Sequence, residues 1–461
     1  MRPLIGRGGR RALAAVLLSA PLAWSVGPAV ARGGAPLQAG AASIDVALPP
    51  GTPLAGYGGF PRRVWVPDIL GRSPNAFWFR PSTGVHDPFK IRSLVLESGA
   101  VRVLWLTVDL VGIDPTLLGA LQERLARRGE SYTAVLVSAS HTHSGPGAYG
   151  DSALFGFIAL DRLSMPVRQR ILDGLERAAG QAAERRAPAL VASARSEVVD
   201  IAESRVHEAL DPALGVVKVT RTDGWPVALL WNYAIHGTAL GRDNSLLSGD
   251  LMAEASARLE RQIGAPALYV NGAVGDVSPR PRGFAGVKTA GEALAAGALR
   301  AWADARTEPG RLEVARQRVA LPSPSVAVRN CLGGWAPGWM TVGLAEWLPS
   351  SAELLALTIG RSAWVTIPGE LETRLGLEIK ASGRDRFSHV FIAGLSNNYL
   401  GYFLAADHYR RPSYIACGSL YGERGGEIVR SAAVSALGRL SAPDREDAAL
   451  RRGRRPAAGR R

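Results

Sequence analysis

Histidines at two places in the chain follow short apolar runs and are the residues best suited to bind a metal ion. His141 and His143 follow the run at residues 135–140, and His236 follows Val227–Ala234. In extended backbone, positions i and i+2 face the same way, so His141 and His143 can converge on one site. Neutral imidazole is a common zinc ligand. The ordinary alternative for such a pair is hydrogen-bonding histidines in the core or at the surface.

Three further loops carry groups that can do chemistry. Gly275-Asp276-Val277-Ser278-Pro279 forms a tight turn that can present Ser278 as a nucleophile, although the same residues also make ordinary turns. Pro368-Gly369-Glu370 is expected to place a carboxylate at a helix start, where the helix dipole alone would favour it. The third, Gly394–Tyr402, is polar and aromatic. All three follow apolar runs, and loops at the carboxyl ends of strands carry chemistry in α/β sheets.

The elements that position these loops alternate along the chain. Short, branched or aromatic runs predict buried strands, and amphipathic stretches between them predict helices. The predicted strands are Val101–Val108, Ala134–Ser138, Val216–Thr220, Val227–Ile235, Ala267–Asn271, Ser362–Ile367 and Val390–Ala393. The predicted helices are Thr116–Arg127, Pro166–Glu184, Leu251–Ile263 and Glu292–Ala305. This alternation indicates a single layered α/β domain with mixed sheets and long loops, covering residues 32–440.

The two ends of the chain differ from this body. Residues 1–31 hold four arginines, an apolar stretch and an Ala-Val-Ala cleavage pattern, which predicts a signal peptide and an exported protein. Residues 441–461 are arginine-rich and predict a disordered tail. The ends supply most of the net charge of +14, so no nucleic-acid partner is expected. No apolar run reaches the roughly 18 residues of a membrane-spanning helix.

The chain contains two cysteines, Cys331 and Cys417. An exported protein meets an oxidising compartment, where these two residues can form one disulfide; two unpaired buried thiols are the alternative. Neither cysteine has metal-ligand spacing to another, so any metal must be held by histidine and carboxylate.

Taken together, the loops resemble the neutral/alkaline non-lysosomal ceramidases over about residues 43–438. The run His141-Thr142-His143-Ser144-Gly145-Pro146-Gly147 carries most of the resemblance. Gly275-Asp276-Val277-Ser278-Pro279 is the second strongest element, and His236, Pro368-Gly369-Glu370 and Gly394–Tyr402 follow in the order of the family. The resemblance covers the catalytic N-terminal domain, and we expect no C-terminal β-sandwich domain of the kind found in longer relatives.

The resemblance implies a zinc amidase with one zinc ion per chain. By position in the motifs, the zinc ligands are His141, His236, Glu370 and Tyr402. Tyr402 is chosen over Tyr399 because the family's ligand tyrosine precedes a second active-site tyrosine by twelve residues, and Tyr414 lies twelve residues after Tyr402. Calcium or magnesium, found in some relatives, is not assigned to residues here.

The catalytic residues implied by the resemblance are Ser278 as nucleophile, His143 as its partner, and Arg205 and Tyr414 as donors to the oxyanion. Attack by a zinc-activated water, with Ser278 only positioning substrate, is the alternative. Three positions next to the implied site residues depart from the family pattern. Gly237 replaces proline, Arg280 replaces asparagine, and the residues after Tyr414 lack an acidic residue.

The expected reaction is hydrolysis of the N-acyl amide bond of ceramide or a related N-acyl lipid, giving a fatty acid and a sphingoid base or amine. The departures keep two alternatives open: a zinc amidohydrolase for another N-acyl amine, and a non-catalytic lipid- or metal-binding protein. A lipid substrate is compatible with peripheral contact with a membrane. The oligomeric state is not predicted.

Overall fold

The computed structural model describes residues 30–442. The predicted signal peptide therefore lies outside the described residues except for its last two positions, and the predicted tail lies outside except for Ser441 and Ala442. Val30 and Ala31 pair with a strand of the domain, and Arg32 donates a hydrogen bond to Ser441 at 3.2 Å.

Strands and helices alternate along the chain as the sequence indicates, and the structure contains more strands than the seven that were predicted. The strands are β1 Val30–Arg32, β2 Gln38–Asp45, β3 Gly84–Val85, β4 Lys90–Ser98, β5 Val101–Val108, β6 Ala134–Ala139, β7 Ala187–Glu197, β8 Ala202–Ser204, β9 Ala213–Arg221, β10 Pro226–Tyr233, β11 Leu246–Leu247, β12 Ala267–Asn271, β13 Val277–Pro279, β14 Leu312–Ala320, β15 Ser325–Ala327, β16 Thr341–Gly343, β17 Ser351–Ile359, β18 Ser362–Thr366, β19 Glu370–Leu371, β20 His389–Ala393 and β21 Tyr402–Phe403. The α-helices are α1 Pro115–Arg127, α2 Ala153–Phe155, α3 Met165–Glu184, α4 Asp250–Ile263, α5 Gly283–Asp304, α6 Val328–Cys331, α7 Thr373–Ser382, α8 Ala406–Tyr409, α9 Tyr414–Cys417 and α10 Gly425–Gly438. A π-helical turn, Gly156–Leu160, follows α2 directly.

Two mixed sheets form the centre of the domain. The larger has the strand order β12-β10-β9-β7-β2-β4-β5-β6, and the smaller has the order β1-β14-β17-β18-β20. Most neighbours are antiparallel. Three pairs are parallel, namely β5 with β6, β10 with β12, and β18 with β20. These parallel pairs bring the carboxyl ends of their strands to shared edges, which is where the candidate chemistry lies.

The sheets and helices stack in four layers. One buried cluster joins the inner faces of the two sheets, where Trp105 and Trp364 pack edge to face with ring centroids 5.0 Å apart. Helices α1, α3, α4 and α5 cover the outer face of the larger sheet. Helices α7 and α10 cover the smaller sheet. The predicted α/β class with mixed sheets is confirmed.

All seven predicted strands and three of the four predicted helices lie within two or three residues of the observed elements. The prediction for α5 was wrong at its start, because the helix begins at Gly283, not at Glu292. Gly286 and Gly291 concealed the first turns, since glycine is unfavourable in helices. Gly291 is required there because a Cβ at this position would lie 2.5 Å from Cγ of Glu254 on α4.

Cys331 and Cys417 form a disulfide, which settles the alternative left open by the sequence. The bond links α6, next to the small β15–β16 hairpin, to α9. Asn330 adds a hydrogen bond to the carbonyl oxygen of Tyr409 at 3.0 Å. The hairpin segment is therefore attached to residues 409–417. No helix within residues 30–442 is both long enough and apolar enough to cross a bilayer.

Candidate active site

The loop after β6 holds His141 in an unusual backbone conformation. His141 has φ of 68°, in the left-handed region that non-glycine residues seldom adopt. Its N–H donates to the carbonyl oxygen of Leu110 at 2.9 Å, and its Nδ1 lies 2.5 Å from the carbonyl oxygen of Val111. The extended backbone assumed for the His-x-His run is therefore wrong at His141. The turn nevertheless brings both histidines to one site, with ring centroids 5.0 Å apart.

The glycines of this loop are required by close backbone packing. A Cβ at Gly145 would lie 2.3 Å from the carbonyl oxygen of Asp109, and one at Gly147 would lie 2.5 Å from that of Leu160. Thr142 anchors the loop from inside, since its hydroxyl donates to the carbonyl oxygen of Ser248 at 2.8 Å. The glycines and the threonine of the motif at residues 141–147 therefore allow this loop to pack closely against the backbone of adjacent segments.

His236 lies in the loop after β10, beside the first histidine loop. Its Nδ1 is 2.7 Å from the carbonyl oxygen of Val277, and its ring centroid is 4.5 Å from that of His141. The next residue, Gly237, passes so close that a Cβ would lie 2.5 Å from Cα of Thr142. Glycine at this position, one of the departures from the family pattern, allows the two loops to touch.

Glu370 enters the same site from the smaller sheet. The expectation that it begins a helix was wrong, because Glu370 lies in β19 and α7 begins at Thr373. Glu370 pairs in parallel register with Tyr402 of β21. Its side chain is buried, with Oε1 3.4 Å from Nε2 of His141 and Oε2 3.0 Å from Nε2 of His236. The strand pairing aims the carboxylate at the two imidazoles.

The facing atoms of this cluster have no hydrogen-bond partners. Nε2 of His141, Nε2 of His236 and Oε2 of Glu370 are buried and unsatisfied. Both Nδ1 atoms lie against backbone carbonyls and are therefore the protonated nitrogens, so each Nε2 presents a lone pair. Lone pairs that face a carboxylate in a buried site are unfavourable unless a cation lies between them. The donor set of two imidazoles and one carboxylate fits zinc.

Burial keeps His143 and His236 neutral. Burial lowers the pKa of His236 to about 3, with Arg205 and His141 acting in the same direction. Burial also lowers the pKa of His143 well below its ordinary value. Neutral imidazoles beside a charged carboxylate are the protonation states that metal binding needs.

Ser278 and Arg205 lie next to the cluster on a pair of short strands. Ser278 is on β13, which pairs with β8, and the chain turns after β8 to Arg205. Nε of Arg205 donates to Oγ of Ser278 at 2.8 Å, and Nη1 donates to the hydroxyl of Tyr402 at 3.3 Å. Burial would lower the pKa of Arg205, but Tyr402 and Glu370 raise it, so the guanidinium stays charged.

The structure brings together all eight residues that the sequence assigned to the site. Tyr414 lies at the solvent-exposed edge of the site. Its ring centroid is 6.1 Å from that of Tyr402, and its side chain is 72% exposed. His143 is buried beside His141 and His236, and neither of its ring nitrogens has a hydrogen-bond partner. The structure therefore shows no hydrogen bond between His143 and Ser278.

The loop that covers His143 was not predicted from the sequence. The ring of Tyr57 packs edge to face on His143 at 4.9 Å, and a Cβ at Gly56 would lie 2.6 Å from the imidazole. Arg62 is buried below, where it donates to the carbonyl oxygens of His143 and Ala55. The run of glycine, tyrosine and arginine at residues 56–63 was the available signal, but glycines also mark ordinary loops.

Tyr399 contributes to the site although spacing argued against it as a metal ligand. Its hydroxyl donates to Oε1 of Glu370 at 2.7 Å. Burial raises the pKa of Tyr399 well above its ordinary value, and Glu370 raises it further, so the phenol keeps its proton. Tyr399 thereby orients Glu370, while Tyr402 lies on the side of Arg205.

An apolar cavity of about 930 Å³ opens onto one side of the site, including Tyr399, Tyr402 and Tyr414. His141, His143 and Glu370 line it at one place. Much of the remaining wall is apolar and comprises Phe155, Ile158, Leu160, Leu348, Leu400 and Leu420. The volume is that of a cavity for a ligand of moderate size. A polar cluster in an apolar cavity suits a ligand with one polar linkage and a hydrocarbon part.

A histidine–carboxylate cluster beside a serine and an arginine, within an α/β fold of four layers, is typical of metallohydrolases. Residues 79–295 match the family described as neutral/alkaline non-lysosomal ceramidase, N-terminal. The resemblance indicated by the motifs is therefore confirmed.

Individual relatives show the same similarity at low identity. The chain is 28% identical over 212 residues to a neutral ceramidase of Oryza sativa, covering 40% of this chain and 26% of that protein. It is 25% identical over 209 residues to a neutral ceramidase of Mycobacterium tuberculosis, covering 40% and 32%. Neutral ceramidase B of Dictyostelium discoideum is 21% identical over 471 residues, covering 74% and 66%. The matches thus span about a quarter to two thirds of these relatives.

The fold is similar to that of solved ceramidases. A ceramidase complexed with C2 superposes with a TM-score of 0.75 at 18% identity, covering 89% of this chain and 77% of that one. Neutral ceramidase from Pseudomonas aeruginosa superposes with a TM-score of 0.73 at 19% identity, covering 90% and 77%. The four-layer arrangement is therefore that of ceramidases.

Proposed function

We propose that this protein hydrolyses the N-acyl amide bond of ceramide or a related N-acyl lipid, with one zinc ion held by His141, His236, Glu370 and Tyr402. The observation that carries the proposal is the pair of unpartnered Nε2 atoms of His141 and His236 facing Glu370, at a site where His141 and Glu370 line an apolar cavity. The family match and the ceramidase relatives support the substrate class. When bound, zinc would polarise the amide carbonyl and lower the pKa of a coordinated water.

In the proposed reaction the chain's own residues perform the acyl transfer. Oγ of Ser278 attacks the amide carbonyl, and its proton passes to the neutral imidazole of His143. Arg205 and Tyr414 donate to the oxygen that becomes negative. The C–N bond then breaks, and the amine leaves with the proton from His143. Water hydrolyses the resulting ester to release the fatty acid and restore Ser278.

The geometry of Arg205 supports this arrangement. Nε of Arg205 donates to Oγ of Ser278 and so orients the serine oxygen. The serine hydroxyl proton is not used in this bond and is free to be donated to another group. The same guanidinium reaches the hydroxyl of Tyr402, which couples the serine to the proposed ligand set. Such a held donor is already in place when negative charge develops nearby.

The two alternatives differ from the proposal in their products. A zinc amidohydrolase for another N-acyl amine would use the same residues, and a non-catalytic protein would bind metal without turnover. Hydrophobic residues in the cavity wall favour a substrate with a hydrocarbon chain. The Ser278–Arg205 contact favours catalysis over simple binding.

The test is to measure the zinc content of purified protein together with fatty-acid release from a short-chain fluorescent ceramide, an N-acyl amino acid and an N-acyl polyamine. We expect one zinc ion per chain and chelator-sensitive release from the ceramide. If fatty acid is released only from the N-acyl amino acid or the N-acyl polyamine, the proposed substrate would change to that amide. Bound zinc without any fatty-acid release would support the non-catalytic alternative. Absence of zinc would contradict the metal assignment.

We propose in addition that the protein is exported, as the arginine-rich and apolar residues 1–31 predict.

A further inference from the structure

Two segments distant in sequence expose large apolar side chains beside the cavity. The first segment, residues 57–80, exposes Phe60, Trp65, Val66, Ile69 and Leu70. The second segment, residues 325–347, exposes Trp335, Trp339, Met340, Val342 and Trp347. Within the described residues, four of the five exposed tryptophans lie in these two segments, and the fifth is Trp225. Exposed apolar groups concentrated in this way mark an interaction surface.

Both segments border the same opening. Gly58, Gly59 and Arg63 of the first segment and Val326, Glu346 and Trp347 of the second line the cavity. The first segment is held to residues 153–160 where Arg63 donates to the carbonyl oxygen of Phe157. The second is held by the Cys331–Cys417 disulfide, and Cys417 and Tyr414 also line the cavity. The two segments that carry the exposed side chains therefore both border the cavity.

We propose that these two segments form a docking surface for an anionic lipid bilayer, from which the substrate enters the cavity. Tryptophan combines a large apolar body with a polar N–H and is favoured at the membrane–water interface. Exposed arginines accompany the apolar groups, namely Arg72 and Arg80 in the first segment and Arg329 in the second, with Arg411 beside the disulfide. These charges match acidic headgroups, to which each basic residue near the surface adds attraction.

The arrangement argues against a second copy of the chain as the occupant. A twofold contact would bring this surface, in which exposed arginines outnumber the exposed Glu346, against the same surface of a second copy, so the net charges of the two partners would repel each other. A bilayer supplies both an apolar layer for the tryptophans and negative charge for the arginines. The part of this proposal that concerns entry of the substrate rests on the proposed function. Binding of the protein to a bilayer does not depend on catalysis and can be tested separately.

The experiment measures co-sedimentation of the full chain with vesicles of phosphatidylcholine alone and of phosphatidylcholine mixed with phosphatidylglycerol. The variants are Trp65→Ala with Ile69→Ala, and Trp335→Ala with Trp339→Ala. Trp225→Ala is the matched control, because Trp225 is 70% exposed and lies immediately before β10, at the opposite end of that strand from His236. Circular dichroism and thermal unfolding check that every variant folds.

We expect stronger binding to the mixed vesicles and a drop of roughly tenfold in partitioning for each double variant, with no drop for Trp225→Ala. Equal binding of parent and double variants, or binding that ignores phosphatidylglycerol, would overturn the proposal. So would self-association of the parent that the double variants abolish, because the surface would then be a dimer contact. Hydrolysis of a soluble short-chain ceramide separates the two proposals, since the double variants should retain it while losing hydrolysis of vesicle-embedded substrate. If no amide is hydrolysed at all, the vesicle binding still tests the surface.

Discussion

Nε2 of His236 lies 3.0 Å from Oε2 of Glu370, and neither buried atom has a hydrogen-bond partner. The two residues are 134 positions apart in the chain. His236 follows β10 of the larger sheet, and Glu370 lies in the short strand β19, which follows β18 of the smaller sheet. A contact between two acceptors inside a protein is unfavourable unless a cation joins them. The relationship is compatible with a metal site and sets the first prediction.

Replacing His141 or His236 by alanine is expected to lower zinc affinity by roughly 100-fold or more, together with activity, because each removes one nitrogen ligand. Metal content after dialysis against a chelator measures the effect. His389→Ala is the matched control, since His389 begins β20 at the end away from the site and hydrogen-bonds Ser193. Full zinc occupancy in the His236 variant would show that the metal is held elsewhere.

Ser278→Ala is expected to reduce turnover by about a thousand-fold or more while leaving zinc content unchanged, because it removes the nucleophile and no metal ligand. Single-turnover release of fatty acid and metal analysis of the same sample measure both effects. Ser204→Ala provides the control, as this serine on the paired strand β8 only accepts hydrogen bonds from the backbone of residues 206 and 208. A nearly normal rate in Ser278→Ala would favour direct attack by water.

The two tyrosines beside Glu370 are expected to respond differently to removal of their hydroxyls. Tyr402→Phe removes a proposed ligand and should weaken zinc binding the more. Tyr399→Phe removes the 2.7 Å hydrogen bond that orients Glu370 and should weaken zinc binding by about tenfold. Zinc titration of the metal-free variants ranks them. The opposite order would transfer the ligand assignment to Tyr399.

Replacing both cysteines by serine is expected to lower the free energy of unfolding by about 2–4 kcal/mol, because the disulfide closes a loop between residues 86 positions apart. Urea unfolding measures the change. The released segment, residues 325–347, should also become the first site of limited proteolysis. Cleavage that begins elsewhere at an unchanged rate would mean that packing alone holds this segment.

Stability is expected to fall as pH rises, through the buried carboxyl of Asp250. Burial raises its pKa to about 6, from an unfolded value near 4, so the folded state binds the proton more tightly. The resulting stabilisation, about 3 kcal/mol at most, is complete below about pH 4 and is lost as pH rises through about 6. Urea unfolding of parent and Asp250→Asn across this range isolates the slope. Identical slopes would assign the pH dependence to other groups.

Much of the fold was visible in the sequence because buried strands and amphipathic helices have strong local patterns. β5 and β12 begin and end at the predicted residues. β2, β7 and β14 were not predicted because their apolar residues alternate with small or charged ones over part of their length. The start of α5 was missed because glycines placed for helix packing look like helix breakers.

The sequence by itself determined which residues could form the site, because residue types and motif order are local properties of the chain. It indicated His141, His143, His236, Ser278, Glu370 and Tyr402, and the tertiary structure brings them together. Only the tertiary structure decided how they meet. The left-handed turn at His141, the burial of Arg62 below His143 and the bond from Tyr399 to Glu370 all depend on contacts between distant segments. Such contacts have no local signal, because they arise when separate loops are packed against one another.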